Sequence, residues 1–107
     1  MGLDLSGQRS VITGGARGMG FAIAARFLDA GASVTLWDID PGTLESAKEA
    51  LSPRGTVVTK IVDVADFAAV ETGAKEAVEA LGGIELLVNA AGVAGADFDL
   101  SGGRATY

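Results

Sequence analysis

A glycine-rich turn between Thr13 and Gly20, with the sequence T-G-G-A-R-G-M-G, directly follows the apolar run Ser10–Ile12. The pattern predicts a buried strand that turns sharply into a helix. Without side chains in the way, main-chain N–H groups at the start of such a helix can hold a diphosphate. No Gly-Lys-Ser/Thr sequence follows the turn, so a phosphate loop of the Walker type is excluded. Because glycine-rich turns also serve tight packing alone, the rest of the chain has to decide between the two interpretations.

Short apolar runs alternate with longer segments of helical periodicity along the chain. The runs predict four strands, at Ser10–Thr13, Ser33–Trp37, Thr56–Val62 and Ile84–Val88. The segments between them predict three helices, from Gly18 to about Ala30, from Pro41 behind the capping residue Asp40, and from Phe67 behind the capping residue Asp66. We expect the third helix to bury one apolar face, made of Phe67, Val70, Ala74, Ala77 and Leu81.

This β-α-β-α-β-α-β order predicts the fold class. Apolar strands separated by helices form a parallel sheet covered on both faces. With right-handed crossovers and a reversal of direction after the third strand, the strand order is 3-2-1-4, an α/β doubly wound sheet of the Rossmann type. The ligand cleft is then expected between strands 1 and 4. We predict one such domain over residues 1–92 and an irregular tail over residues 93–107, where the periodicity fades.

Composition argues against several other classes of function. The net charge is −6 and the eight Lys and Arg residues are scattered, which disfavours nucleic acid as a partner. No run of about 18 apolar residues occurs, so no membrane span is expected. The chain has neither cysteine nor histidine, which removes disulfides, thiolate metal sites and the commonest general base. The absence of cysteine fits a cytoplasmic location, and no metal site is expected.

Polar residues stand at the predicted carboxyl ends of three strands. Asp38 ends the second strand, at about the distance from the turn at which an acid meets an adenosine ribose. A carboxylate there accepts hydrogen bonds from both ribose hydroxyls and repels a 2′-phosphate, which favours NAD over NADP. Asp63 and Asn89 end the third and fourth strands and would line the same crevice. Loop solvation or helix capping is the alternative for the acids, although Asp66 is the better cap and leaves Asp63 for another task.

Arg17, inside the glycine-rich turn, has more than one interpretation. Its guanidinium can lie near the diphosphate, or near a 2′-phosphate if Asp38 swings away, or it can be a solvated surface group. We include Arg17 among the candidate cofactor-binding residues and leave its partner open.

Four motifs in this order resemble those of the short-chain dehydrogenases/reductases. The turn fits the T-G-x-x-x-G-x-G pattern of that family, and Trp37–Asp38 resembles its acidic selector for NAD. Asp63–Val64 is similar to the pair that contacts adenine, and Asn89–Gly92 is similar to the N-[NA]-A-G motif. The resemblance covers Leu5 to about Val93.

The resemblance implies roles for the glycine-rich turn. Gly14, Gly18 and Gly20 would shape it, and the backbone of Gly18 and Met19 would face the diphosphate. NAD is the implied cofactor, with NADP less favoured.

The resemblance also implies roles at the strand ends. Asp38 and Ile39 would hold and flank the adenosine, and Asp63–Val64 would contact the adenine ring. Asn89 and Ala90 would line the ribose side, with Asn89 also tying strand 4 to its neighbours.

The catalytic residues of the family have no counterpart in this sequence. Its catalytic Ser, its Tyr-x-x-x-Lys pair and a further Asn come well after the N-[NA]-A-G motif. Ser101 and Tyr107 lie too soon after Gly92, and no Lys follows Tyr107. We therefore expect the N-terminal, NAD(H)-binding portion of such an oxidoreductase, without catalysis by itself. A folding or self-assembly module that binds no useful cofactor and an enzyme completed by another chain are the alternatives.

Such a portion would leave strand 4 open along its outer edge. Because an open apolar edge tends to pair with another chain, we expect a homo-oligomer that buries Leu86, Val88 and their neighbours.

Overall fold

The computed structural model describes residues 4–90, and its elements follow the predicted order. The strands are β1 (Arg9–Thr13), β2 (Ser33–Asp38), β3 (Val57–Ile61) and β4 (Leu86–Asn89). The helices are α1 (Gly18–Asp29), α2 (Pro41–Leu51) and α3 (Phe67–Leu81), with a 3-10 turn at Ser52–Arg54 after α2. The predicted tail, the last two residues of the N-[NA]-A-G motif, Ser101 and Tyr107 lie outside the described residues.

The four strands form one parallel sheet in the order β3-β2-β1-β4, as predicted. In the register of the central strand, Thr13 lies opposite Trp37 of β2 and opposite Asn89 of β4. The carboxyl ends of β1, β2 and β4 are therefore level at one edge of the sheet. This is the doubly wound Rossmann-type arrangement, and it places the glycine-rich turn beside the ends of its neighbouring strands.

The core has two layers, one on each face of the sheet. Neighbouring residues of β1 point to opposite layers, since Ile12 belongs to one and Val11 to the other. The first layer is packed under α1 and α2 and includes Ala24, Leu28, Leu44, Ala47 and Leu51. The second lies under α3 and includes Trp37, Val62 and Ala77. Two helices thus cover one face within the described residues, whereas α3 covers the other.

The helix ends confirm the capping predictions. Asp40 precedes Pro41 and accepts hydrogen bonds from the backbone N–H groups of Gly42 and Thr43. Asp66 accepts one from the backbone N–H of Ala69. Each carboxylate satisfies N–H groups that a helix start otherwise leaves unpaired.

The prediction for the buried face of α3 was wrong at Phe67, whose side chain is 76% exposed. The side of α3 that faces the sheet buries the predicted Ala77 together with Gly73, and the predicted Val70 and Ala74 pack on the same layer. A Cβ at position 73 would lie 3.0 Å from the Trp37 ring, which is tighter than an ordinary contact, so glycine lets α3 approach the indole without displacing it. Phe67, the first residue of the helix, is not among the residues that pack on this layer.

Both edge strands of the described sheet carry exposed apolar residues. Ile61 in β3 is 57% exposed and Leu87 in β4 is 68% exposed. Leu87 pairs in register with Val11, so it lies on the sheet face that α3 covers only in part. Across residues 4–90 we find no helix with the length and apolarity needed to cross a membrane.

Candidate cofactor-binding site

The glycine-rich turn brings α1 against the end of β1 at very short range. Gly14 and Gly18 adopt φ angles of +64° and +59°, a region that favours glycine. A Cβ on Gly20 would lie 2.1 Å from the carbonyl oxygen of Gly14, a contact that no side chain allows. The turn is also fixed to β2, because the N–H of Gly15 donates to the carbonyl of Trp37 at 3.2 Å. The glycines are therefore required by the geometry of the turn itself.

The start of α1 faces a cleft beside this turn. Arg17 is the N-terminal capping residue, but its side chain makes no capping hydrogen bond. Gly18, Met19 and Gly20 of the first helical turn line the cleft. First-turn N–H groups lack partners within the helix and carry the positive end of its dipole, so an anionic group is favoured there.

Asp38, at the end of β2, is almost wholly buried and is paired through only one oxygen. Its Oδ1 accepts from the N–H of Ile39 at 2.8 Å and from Arg17 Nη2 at 3.1 Å. Its Oδ2 is buried and has no hydrogen-bond partner among the described residues. The Asp38 side chain is 5% exposed, whereas that of Arg17 is 58% exposed. The guanidinium thus pairs with the acid from the solvent side, which answers the question that the sequence left open.

The charge of Arg17 also reaches the next acid along the chain. The pKa of Asp40 is lowered mainly by hydrogen bonds from the Thr43 hydroxyl and from backbone N–H groups, and to a smaller extent by Arg17. The positive charge of Arg17 therefore acts on both Asp38 and Asp40.

Asp63 and Val64 follow β3 at the far side of the cleft. Asp63 Oδ1 accepts from the N–H of Ala65 at 2.9 Å, and its carbonyl accepts from the N–H of Asp66 at 2.9 Å. Since Asp66 caps α3, the prediction that Asp63 is not the cap is confirmed. Val64 is 42% exposed, which leaves an apolar surface beside Asp63.

Asn89 and Ala90 lie at the end of β4. The Thr13 hydroxyl donates to Asn89 Oδ1 at 2.7 Å, so Asn89 ties β4 to β1 as predicted. The N–H of Ala90 donates to the carbonyl of Thr13 at 3.1 Å, and Ala90 is buried against the cleft.

The cleft has a volume of about 580 Å³, within the range for small-molecule sites. It is lined by every candidate residue except Asn89, namely Gly14, Arg17, Gly18, Met19, Gly20, Asp38, Ile39, Asp63, Val64 and Ala90. Trp37 and Val62 line it as well and were not predicted as site residues. The sequence could have indicated both residues, since each immediately precedes an acid that was predicted to lie at the cleft.

The donor set of the cleft suits a dinucleotide. A buried carboxylate oxygen lacks a donor, and glycines keep side chains away from the first-turn N–H groups of α1. Within residues 4–90 no three His, Cys, Asp or Glu residues are grouped so as to hold a metal ion.

Comparison with known proteins assigns the family. The model of the short chain dehydrogenase family matches residues 8–102, and the chain belongs to this family. A relative, the 2-dehydro-3-deoxy-L-rhamnonate dehydrogenase (NAD(+)) of Sphingomonas sp. (strain SKA58), is 36% identical over 91 residues. That match covers 85% of this chain and 35% of the relative, so the chain spans about a third of that protein's length.

Solved structures with a similar fold include complexes with both dinucleotides. Carveol dehydrogenase from Mycobacterium avium in complex with NAD is 29% identical, with a TM-score of 0.74 over 78% of this chain and 35% of its own. A metagenomic short-chain oxidoreductase in complex with NADP is 32% identical, with a TM-score of 0.73 over 78% of this chain and 38% of its own. Neighbours of this fold therefore bind NAD or NADP.

Proposed function

We propose that this chain is the NAD(H)-binding portion of a short-chain dehydrogenase/reductase. The observation that carries this proposal is the buried and unpaired Oδ2 of Asp38, a residue that lines the same cleft as the first turn of α1. An unpaired buried acceptor is costly, and a ligand hydroxyl is the donor that would satisfy it. The diphosphate would lie against the N–H groups of Gly18 and Met19, and the adenine between Ile39 and Asp63–Val64.

NAD is the proposed cofactor in preference to NADP. The Asp38 carboxylate lies where the ribose hydroxyls would arrive, and a 2′-phosphate there would meet like charge. Asp40 and Asp63 add negative charge to the same region. The neighbours in complex with NAD and with NADP support a dinucleotide site of either type, and the acid is our reason for the finer choice.

The bound cofactor would accept or donate a hydride. The chain's own residues would bind and orient the adenosine half, and we assign none of them a catalytic role. We propose that hydride transfer requires a further protein segment that supplies an acid beside the substrate carbonyl. The cytoplasmic setting expected from the sequence stays a prediction.

Calorimetric titration with NAD and NADP tests this function. We expect saturable NAD binding, weaker NADP binding, and a smaller difference between the two in Asp38→Ala. Asp29→Ala is the matched control, because it removes an acid that pairs with Arg54 outside the cleft and should leave both affinities unchanged. A folded protein that binds neither dinucleotide would instead support the folding or self-assembly module.

A further inference from the structure

The ion pair with Arg17 occupies one oxygen of Asp38, the acid that the proposed function assigns to the ribose. Oδ2 of Asp38 is buried, and Oδ1 already accepts two hydrogen bonds, from Arg17 and from Ile39. A carboxylate oxygen has two lone pairs, so Oδ1 has no capacity left for a further donor. The unpaired Oδ2 can accept from one ribose hydroxyl, so the second hydroxyl must compete with Arg17 for Oδ1.

Arg17 is the group that can move away. The N–H of Ile39 belongs to the backbone directly after Asp38 and is fixed by the chain. The Arg17 side chain is more than half exposed, and it makes no hydrogen bond that caps α1. Water can hydrate the guanidinium after it leaves, whereas the buried carboxylate then needs another donor, which a ribose hydroxyl would supply.

We propose that Arg17 acts as a latch on Asp38, which means that its guanidinium competes with the ribose hydroxyls for the carboxylate. Its guanidinium binds Oδ1 of Asp38, and it must leave this oxygen before both ribose hydroxyls can bind the carboxylate. The latch rests on the proposed function, since it regulates the same site. It compensates the buried charge of Asp38 and lowers the affinity for NAD by competing with the ribose.

The competing interpretation of Arg17 predicts the opposite change in NAD affinity when the guanidinium is removed. If the guanidinium contacts the diphosphate, its removal weakens NAD binding. If it is only a latch, its removal strengthens NAD binding because the competitor is lost. A single substitution therefore separates the two roles.

The test is calorimetric titration of NAD into the full chain and into Arg17→Gln. We expect about fivefold tighter NAD binding in Arg17→Gln, the size of a weak ion pair. Arg26→Gln is the matched control, because it removes the same charge from an exposed position at the far end of α1 and should leave the affinity unchanged. Circular dichroism and thermal unfolding check that each variant keeps the fold.

Repeating Arg17→Gln in the Asp38→Asn background measures whether its effect on NAD affinity depends on the Asp38 carboxylate. The latch predicts that Arg17→Gln tightens binding less in that background, because a neutral amide oxygen holds the guanidinium more weakly than a carboxylate does. NAD binding that is unchanged or weaker in Arg17→Gln would overturn the latch and leave the proposed function standing. The same gain in the Asp38→Asn background would also overturn it. If neither the unmodified chain nor Arg17→Gln binds NAD, the proposed function fails and the latch with it.

Discussion

The hydroxyl of Thr13 and the side-chain oxygen of Asn89 are joined by a 2.7 Å hydrogen bond, at matched positions in the register of β1 and β4. Thr13 is also the residue from which the glycine-rich turn begins. The contact therefore holds the end of β4 at a fixed height relative to the turn. Ala90, which lines the cleft, is positioned by the same residue through the carbonyl of Thr13.

Removing this contact should loosen β4. We expect Asn89→Ala to lower the free energy of unfolding by about 1 kcal/mol, the net value of one hydrogen bond. Urea unfolding of Asn89→Ala, Thr13→Val and the double variant measures the coupling between the two side chains. Strictly additive losses would show that the hydrogen bond contributes nothing of its own.

Gly20→Ala should disrupt the turn. The added Cβ would meet the backbone oxygen of Gly14 at 2.1 Å, and a backbone atom cannot rotate aside. We expect a loss of about 3 kcal/mol or more in the free energy of unfolding, the upper range for overpacking, together with loss of NAD binding. Chemical denaturation and calorimetry measure the two effects.

Gly42→Ala is the control for Gly20→Ala. A Cβ at position 42, in the first turn of α2, meets Asp40 Oδ1 at an ordinary 3.5 Å. Alanine there should leave NAD binding unchanged and raise stability by about 0.5 kcal/mol. If Gly20→Ala is as stable as Gly42→Ala and binds NAD equally well, this result would contradict the close approach of Gly20 to the carbonyl oxygen of Gly14.

The ion pair between Arg9 and Glu85 should make stability depend on pH in the acid range. Hydrogen bonds from the Arg9 guanidinium lower the pKa of Glu85 to about 2 from an ordinary value of 4.5. Because the folded-state pKa is the lower one, the stabilisation is complete above pH 4.5 and is lost as the pH falls toward 2. The unfolding free energies of the unmodified chain and Glu85→Gln should differ at pH 7 and converge below pH 4.5.

Glu79→Gln is the control for Glu85→Gln. It removes the same charge from an exposed position on α3. The lowered pKa of Glu85 predicts that the unfolding free energies of Glu85→Gln and the unmodified chain converge as the pH falls. A difference that persists undiminished down to pH 2 would contradict this prediction.

Trp37 should report cofactor binding directly. It is the one tryptophan of the chain and it lines the cleft. Reduced nicotinamide absorbs where indole emits, so bound NADH should quench the emission of Trp37 by energy transfer. Fluorescence titration with NADH measures this, and free tryptophan at the same absorbance corrects for light absorbed by unbound NADH. Unchanged Trp37 emission at a concentration that saturates calorimetry would place the cofactor away from this cleft.

Self-association through β4 stays a prediction of the sequence, and the structure directs its test to Leu87. Val88 packs against the core under α1, whereas Leu87 is 68% exposed on a strand that is an edge of the described sheet. We expect dimers or larger assemblies at high micromolar concentration, and dissociation in Leu87→Lys, since an edge lysine opposes strand pairing. Size exclusion with light scattering measures the mass, and a stable monomer at that concentration would contradict the prediction.

The parts of the fold that local chemistry decides were predictable. The caps at Asp40 and Asp66 depend on a side-chain oxygen and N–H groups within three residues, all visible in the sequence. The strand order followed from the alternation of strands and helices and the handedness of crossovers, together with the assumed reversal of direction after the third strand. The spacing of Asp38 from the turn likewise placed it at the cleft.

The parts that depend on distant residues were not predictable. Arg17 and Asp38 are 21 positions apart, and the choice between acid, phosphate and solvent is made only when β2 lies beside the turn. The exposure of Phe67 depends on how α3 lies on the sheet, and the close approach of Gly73 to Trp37 could not be read from the sequence. Periodicity identifies the apolar face of a helix but not which of its residues reach the sheet.

The most direct test of the account is an NMR titration of the chain with NAD. We predict saturable shifts of the amide signals of residues 14–20, together with those of Ile39 and Val64, while the signals of the exposed face of α3 stay in place. Saturating NAD that leaves the turn signals unshifted would contradict the claim that the start of α1 and Asp38 form a dinucleotide site.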